Sequence, residues 1–146
     1  MKFYFAYGSN LWRGQMRRRC PEHRILGGGS LKGYRWIIST RGYANIVKSE
    51  GDEVHGVIYE ISESDECSLD RFEGVHCGAY KKARMRVESQ GRHQECLVYV
   101  DPVEREGKPN QEYTERLNKG ISDSDLPPRY VDRYVRKFIS DNSEKL

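Results

Sequence analysis

Glu73 is the residue of this chain best suited to acid–base chemistry. It follows Leu69-Asp70-Arg71-Phe72 and precedes Gly74, a pattern in which a helix stops and leaves the glutamate at its end. A carboxyl hanging from there into an apolar cavity loses the hydration of its charged form, and its pKa rises. A rise of two units corresponds to about 2.7 kcal/mol. Such a group holds and releases a proton near neutral pH. The plainer reading of a glutamate beside a glycine is a solvated helix end, and residue types alone leave both open.

A second candidate is the run Tyr4-Phe5-Ala6-Tyr7 that halts at Gly8-Ser9-Asn10. Glycine lets the backbone come close to a ligand. Ser9 and Asn10 lead into a helix whose first N–H groups favour a carboxylate or an oxyanion. An ordinary strand-to-helix turn with a side-chain cap would use the same residues. Tyr80 and Tyr113 are further candidates, the alternative being half-buried tyrosines with satisfied hydroxyls.

Other chemistries lack their residues. There is no G-x-S-x-G elbow and no cysteine in a nucleophile signature. Cys20, Cys67, Cys77 and Cys96 form no C-x-x-C pair, and His23, His55, His76 and His93 lie far apart, so no metal site is expected. Without a Walker loop or a dinucleotide fingerprint, nucleotide chemistry is disfavoured too. Acid–base chemistry without a cofactor remains.

The elements that must position these residues follow from periodicity and punctuation. Residues 2–7 read as a buried strand, and 11–19 as a short helix ending near Pro21. Gly27-Gly28-Gly29 suggests a flexible connection or close backbone contact before a strand at 34–38. Residues 44–47 and 54–61 read as two strands paired in an antiparallel hairpin about the turn-like 49–52. A helix over 62–72 has Ser62 or Ser64 as N-cap and Cys67, Leu69 and Phe72 as buried positions. Residues 80–89 and 94–100 form a second hairpin about Gln90-Gly91-Arg92, and Pro102 ends it. Helices are expected over 110–119 and 128–139, the last opened by Pro127-Pro128, with a polar, frayed tail at 140–146.

The 146 residues make one domain, 1–146, able to bury roughly two thirds of the surface of the unfolded chain. The expected architecture is α+β: a mostly antiparallel, curved, barrel-like sheet with helices around it. At 36% hydrophobic and 32% charged, the composition is that of an ordered soluble protein. No apolar stretch approaches the ~20 residues of a membrane span, and the start of the chain is too short and aromatic for a secretory signal. A cytoplasmic protein is expected. The net charge of +3 includes a local cluster, Arg13, Arg17, Arg18, Arg19 and Arg24. Because 22 acidic residues nearly balance 25 basic ones, a solvated helix face is favoured over a nucleic-acid site.

Taken in order, these motifs resemble the gamma-glutamylcyclotransferase family over nearly the whole chain, from Phe3 to Leu126-Pro127-Pro128-Arg129-Tyr130. The resemblance is carried by residues 4–11, by Gly51-Asp52-Glu53-Val54-His55-Gly56-Val57, by residues 69–74, by Tyr80 seven residues after Glu73, by Tyr99, and by Tyr113 ahead of Gly120 and Leu126-Pro127. It implies that Glu73 is the general acid/base, that Tyr4, Phe5, Ala6, Tyr7, Gly8, Ser9 and Asn10 form the substrate-binding loop, that Tyr113 closes the pocket and that Tyr80 supports it. The implied substrate is a gamma-glutamyl amide, cyclised without water or cofactor to 5-oxoproline and a free amine or amino acid; the sequence leaves monomer and homodimer both open. The short, charged stretch 100–110 and the glycine triplet have no counterpart in that pattern. The leaving group does not carry over, because relatives act on gamma-glutamyl amino acids, on gamma-glutamylamines and on protected intermediates. The competing class is a non-catalytic module on the same fold that binds a small ligand, a phosphate or a nucleic acid through the arginine cluster.

Overall fold

Strand β1, Lys2–Ala6, is buried on both faces, which is why the opening run reads as continuously apolar. Phe5 and Tyr7 point into one core cluster with Trp36, Ile46, Ile58 and Val98, whereas Tyr4 and Ala6 join a second with Met16, Tyr59 and Leu69. The computed structural model describes residues 1–141. Five strands close into a barrel in the order β1-β3-β2-β4-β5, with β2 at Arg24–Ile38, β3 at Ala44–Ile61, β4 at Lys81–Ser89 and β5 at Arg92–Val100. All pairings are antiparallel except that of β1 with β5. The expected curved, barrel-like α+β sheet is therefore present.

Two local expectations are corrected. The residues 44–47 and 54–61 do not pair with each other. They are the two ends of one strand, β3, and both pair with β2. The turn-like residues 49–52 instead bulge out opposite Gly33, since Lys32 pairs with Glu53 while Tyr34 pairs with Lys48. The glycine triplet is likewise part of β2 and no flexible connection. A Cβ on Gly29 would lie 2.8 Å from Val87 Cγ1, so the missing side chain leaves room for Val87 of the adjacent strand β4.

Helix α1, Arg13–Arg19, follows a single 3-10 turn at Ser9–Leu11. Helix α2, Glu63–Phe72, is opened by a reciprocal cap in which Ser62 Oγ accepts from the Asp65 N–H and the Asp65 carboxylate accepts from the Ser62 N–H. Of the three positions expected to be buried in α2, only Leu69 is; Cys67 and Phe72 are exposed. The long β4–β5 hairpin matches its expected position. Helix α3, Gln111–Asp123, is capped by Asn110, and α4, Pro128–Tyr130, runs on into a wider π turn, Val131–Val135. Ser140 and Asp141 end the described chain, and the rest of the expected tail lies outside it. All four cysteines are unpaired. No described helix is long and apolar enough to cross a membrane.

Candidate active site

The end of α2 sets Glu73. Its N–H closes the last helical turn on Leu69 O at 2.8 Å, and the next residue, Gly74, takes the left-handed conformation with φ 64° and ψ 37°. The chain reverses there, since only glycine enters this region without steric cost. The Glu73 side chain is thereby left facing a cavity of about 280 Å³.

That cavity is walled by tyrosines whose hydroxyls are already engaged. Tyr7 donates to Tyr99 O at 2.6 Å, Tyr80 donates to Ala44 O at 2.7 Å, and Tyr113 accepts from the Ala44 N–H at 3.1 Å. Tyr80 and Tyr113 thus hold both polar groups of one residue, Ala44. Burial together with the nearby Glu73 charge pushes the Tyr4, Tyr7, Tyr80 and Tyr113 hydroxyls above their ordinary pKa, so they stay protonated. They can donate and accept hydrogen bonds, but they do not act as bases near neutrality.

The Gly8-Ser9-Asn10 turn forms the neighbouring wall, and a network of side chains fixes it. Asn10 Nδ2 donates to the Tyr4 hydroxyl at 2.9 Å, while Asn10 Oδ1 accepts from Gln15 Nε2 at 2.9 Å and from Arg19 at 3.3 Å. Gln15 Nε2 also reaches Ser9 Oγ at 2.8 Å, and the Tyr59 hydroxyl donates to Asn10 O at 3.0 Å. On the far side, the Trp36 indole donates to Tyr7 O at 2.9 Å.

Charge at the site is lopsided. Three guanidiniums line the cavity, those of Arg19, Arg41 and Arg116, against the carboxyls of Glu73 and Glu112. Arg116 is paired with Glu112 at 2.6 Å and Arg41 with Asp101 at 2.8 Å. Arg19 has no carboxylate within 4.0 Å among the described residues; it donates to Asn10 and lies over the ring of Phe72. Loss of hydration pushes the Glu73 carboxyl up to about 7, and the charges of Arg19 and then Arg41 limit that rise. A carboxyl so placed exchanges a proton at the pH of most cells.

Nine of the ten residues singled out in the sequence line this one cavity: Glu73, the residues Tyr4, Phe5, Tyr7, Gly8, Ser9 and Asn10 of the first strand and turn, and Tyr80 and Tyr113. Ala6 does not. It is buried in the same core cluster as Leu11 and Met16. Sequence reasoning missed Arg41, Tyr43, Phe72 and Arg116, and it grouped Arg19 with a solvated face. Arg13, Arg17, Arg18 and Arg24 are indeed exposed. Arg19 differs because it follows the buried Gln15 by four residues and Met16 by three, on the inward side of α1. That spacing was a usable signal.

The AIG2-like family is matched by residues 53–134. Mouse gamma-glutamylcyclotransferase is 31% identical over 97% of this chain and 80% of its own length, and the human protein of that name is 29% identical over 89% and 75%. A solved structure described as gamma-glutamyl cyclotransferase superposes with a TM-score of 0.85 at 28% identity, over 97% of this chain and 89% of that one. In sequence and in barrel architecture alike, the chain belongs to the AIG2-like family of gamma-glutamylcyclotransferase enzymes.

Proposed function

We propose that this enzyme cyclises a gamma-glutamyl amide to 5-oxoproline and releases the amine or amino acid. The observation that carries the reading is the Glu73 carboxyl. It faces the cavity, and its pKa is raised to about 7 by burial. Nucleophile and electrophile belong to one substrate molecule, so the protein's main task is to fold that molecule into a ring-closing conformer, for which a cavity of about 280 Å³ is a suitable size.

In this reading Glu73 takes a proton from the substrate's α-ammonium, freeing the amine to attack the γ-carbonyl. One C–N bond forms and the original amide C–N bond breaks. The proton held by Glu73 passes to the departing nitrogen, and the second proton, shed by the attacking nitrogen as it becomes the lactam N–H, follows through the same carboxylate; the amine leaves as its ammonium form, and neither water nor a cofactor is consumed. Backbone N–H groups at Gly8 and Ser9 hold the α-carboxylate, as the fixed geometry of that turn allows. The rings of Tyr4, Tyr7, Tyr80 and Tyr113 shape the cavity. The test is incubation of the purified protein with gamma-glutamyl-alanine, with 5-oxoproline followed by mass spectrometry and the Glu73→Gln variant run alongside. 5-Oxoproline that falls about 10²-fold or more in the variant supports the assignment. Glutamate as the product would mean hydrolysis instead, and undiminished activity in the variant would remove Glu73 from its role.

A further inference from the structure

Phe72 breaks the pattern of its own helix. Leu69, three residues earlier on the same side of α2, is fully buried, yet Phe72 is 58% exposed. Its ring lines the cavity beside Glu73, and Tyr43, 41% exposed, lines the same cavity from the connection between β2 and β3. The other large exposed hydrophobic side chains among the described residues, Met1, Ile25 and Leu26, lie away from it. Each of the two aromatic rings is steadied by a guanidinium, Arg19 at 4.4 Å from the centre of Phe72 and Arg41 at 5.7 Å from that of Tyr43. Tyr43 also packs edge-on against Tyr113 with centroids 5.1 Å apart. Rings held in this way and still open to solvent offer pre-oriented apolar surface.

We propose that Phe72 and Tyr43 form the subsite for the side chain of the leaving group, and that the preferred leaving group carries a flat apolar ring. This rests on the cyclotransferase reading above. The glutamyl half is common to every substrate and must lie against Glu73. What varies among substrates projects toward the cavity mouth, where it meets these two rings. The flanking guanidiniums of Arg19 and Arg41 repel a cationic side chain there and stack favourably on a neutral planar one.

The experiment compares kcat/KM for 5-oxoproline formation within two substrate pairs, using the full chain. The first pair is gamma-glutamyl-phenylalanine against gamma-glutamyl-glycine; the second is gamma-glutamyl-phenethylamine against gamma-glutamyl-ethylamine. A ring is thus added both with and without a carboxylate. The ring-bearing member should be preferred about tenfold or more in both pairs. That ratio should fall severalfold in Phe72→Ala and in Tyr43→Ala, and to an intermediate value in Phe72→Leu, which keeps apolar bulk but loses the plane. Both positions are exposed, so the variants should fold, which circular dichroism checks. Equal kcat/KM within each pair, or a ratio that survives in both alanine variants, overturns the subsite alone. Absence of 5-oxoproline from all four substrates overturns the cyclotransferase reading and the subsite with it.

Discussion

Arg41 and Asp101 form an ion pair at 2.8 Å in which the carboxylate is fully buried and the guanidinium side chain is 34% exposed. The carboxylate is fixed from behind, accepting from the Val103 N–H at 2.8 Å and from Ser39 Oγ at 3.3 Å. Arg41 donates from the same nitrogen to Ala79 O at 3.0 Å, six residues beyond Glu73. The pair therefore ties β5 to the loop that leaves the candidate acid/base, and it sets a positive charge near that carboxyl. Replacing Arg41 with methionine leaves a buried charge without its partner, so stability should drop on the order of 3 kcal/mol in urea unfolding. Removing a cation that lowers the Glu73 pKa should also move the acid limb of kcat/KM to higher pH. Arg41→Lys keeps the charge and should leave the limb in place. A limb that stays put in the methionine variant would show that Glu73 does not feel Arg41.

The raised pKa of Glu73 makes a second prediction, on stability. Its folded value of about 7 lies above the ordinary carboxyl value of 4.5, so between those pH values the native state binds the proton more tightly than the unfolded chain does. Stability contributed by the protonated form is complete below pH 4.5 and is lost as pH rises to about 7, by up to roughly 3 kcal/mol. Glu73→Gln cannot ionise and escapes this loss. Thermal melts of both proteins at pH 5 and pH 8 should show the variant gaining on the parent at the higher pH. Parallel curves across that window would mean that Glu73 titrates as an ordinary surface carboxyl.

Much of this architecture was legible because the elements carry strong local marks. The β4–β5 hairpin announces itself by alternation and Gln90-Gly91-Arg92, and α2 by Ser62 and its acidic first turn. The β2–β3 pairing was not legible. Its bulge at residues 49–52 uses the same residue types as a hairpin turn, and only the partner strand, read through Gly33, distinguishes them. The site shows the same division. Glu73 and the Gly8-Ser9-Asn10 turn sit in contiguous motifs, whereas Arg41 and Tyr43 in the β2–β3 connection and Arg116 on α3 reach the cavity with no local sign of a shared destination. Phe72 was misread because helical spacing says which side a residue takes, and on that side α2 borders a cavity instead of packed core.

Tyr113 and Tyr80 supply a third prediction through Ala44. Tyr113→Phe leaves the Ala44 N–H without its acceptor in a buried site, which should cost about 1–3 kcal/mol, while Tyr80→Phe leaves the Ala44 carbonyl without its donor. Both changes loosen the same backbone position on the cavity wall. Because the two hydroxyls share one residue, their effects on unfolding free energy should be non-additive in a double-mutant cycle, with a coupling of about 0.5 kcal/mol or more. Strict additivity would mean that Ala44 does not join the two tyrosines into one unit.

Gly74 offers the most local test of how the site is set. A Cβ there would lie 3.0 Å from the Ala79 Cβ, and the residue's φ of 64° is a conformation that costs an L-residue roughly 1–2 kcal/mol. Gly74→Ala should therefore lower stability by about that amount. It should lower kcat more than it raises KM, because the residue next to Glu73 must shift while the Gly8-Ser9 turn after β1 stays intact. A displacement of about 1 Å at a proton-transfer group is enough for a loss on the order of 10²-fold. Steady-state kinetics beside thermal melts separate the two effects: a variant that loses stability but keeps kcat would show that the left-handed turn serves the fold and leaves the carboxyl free to find its own position.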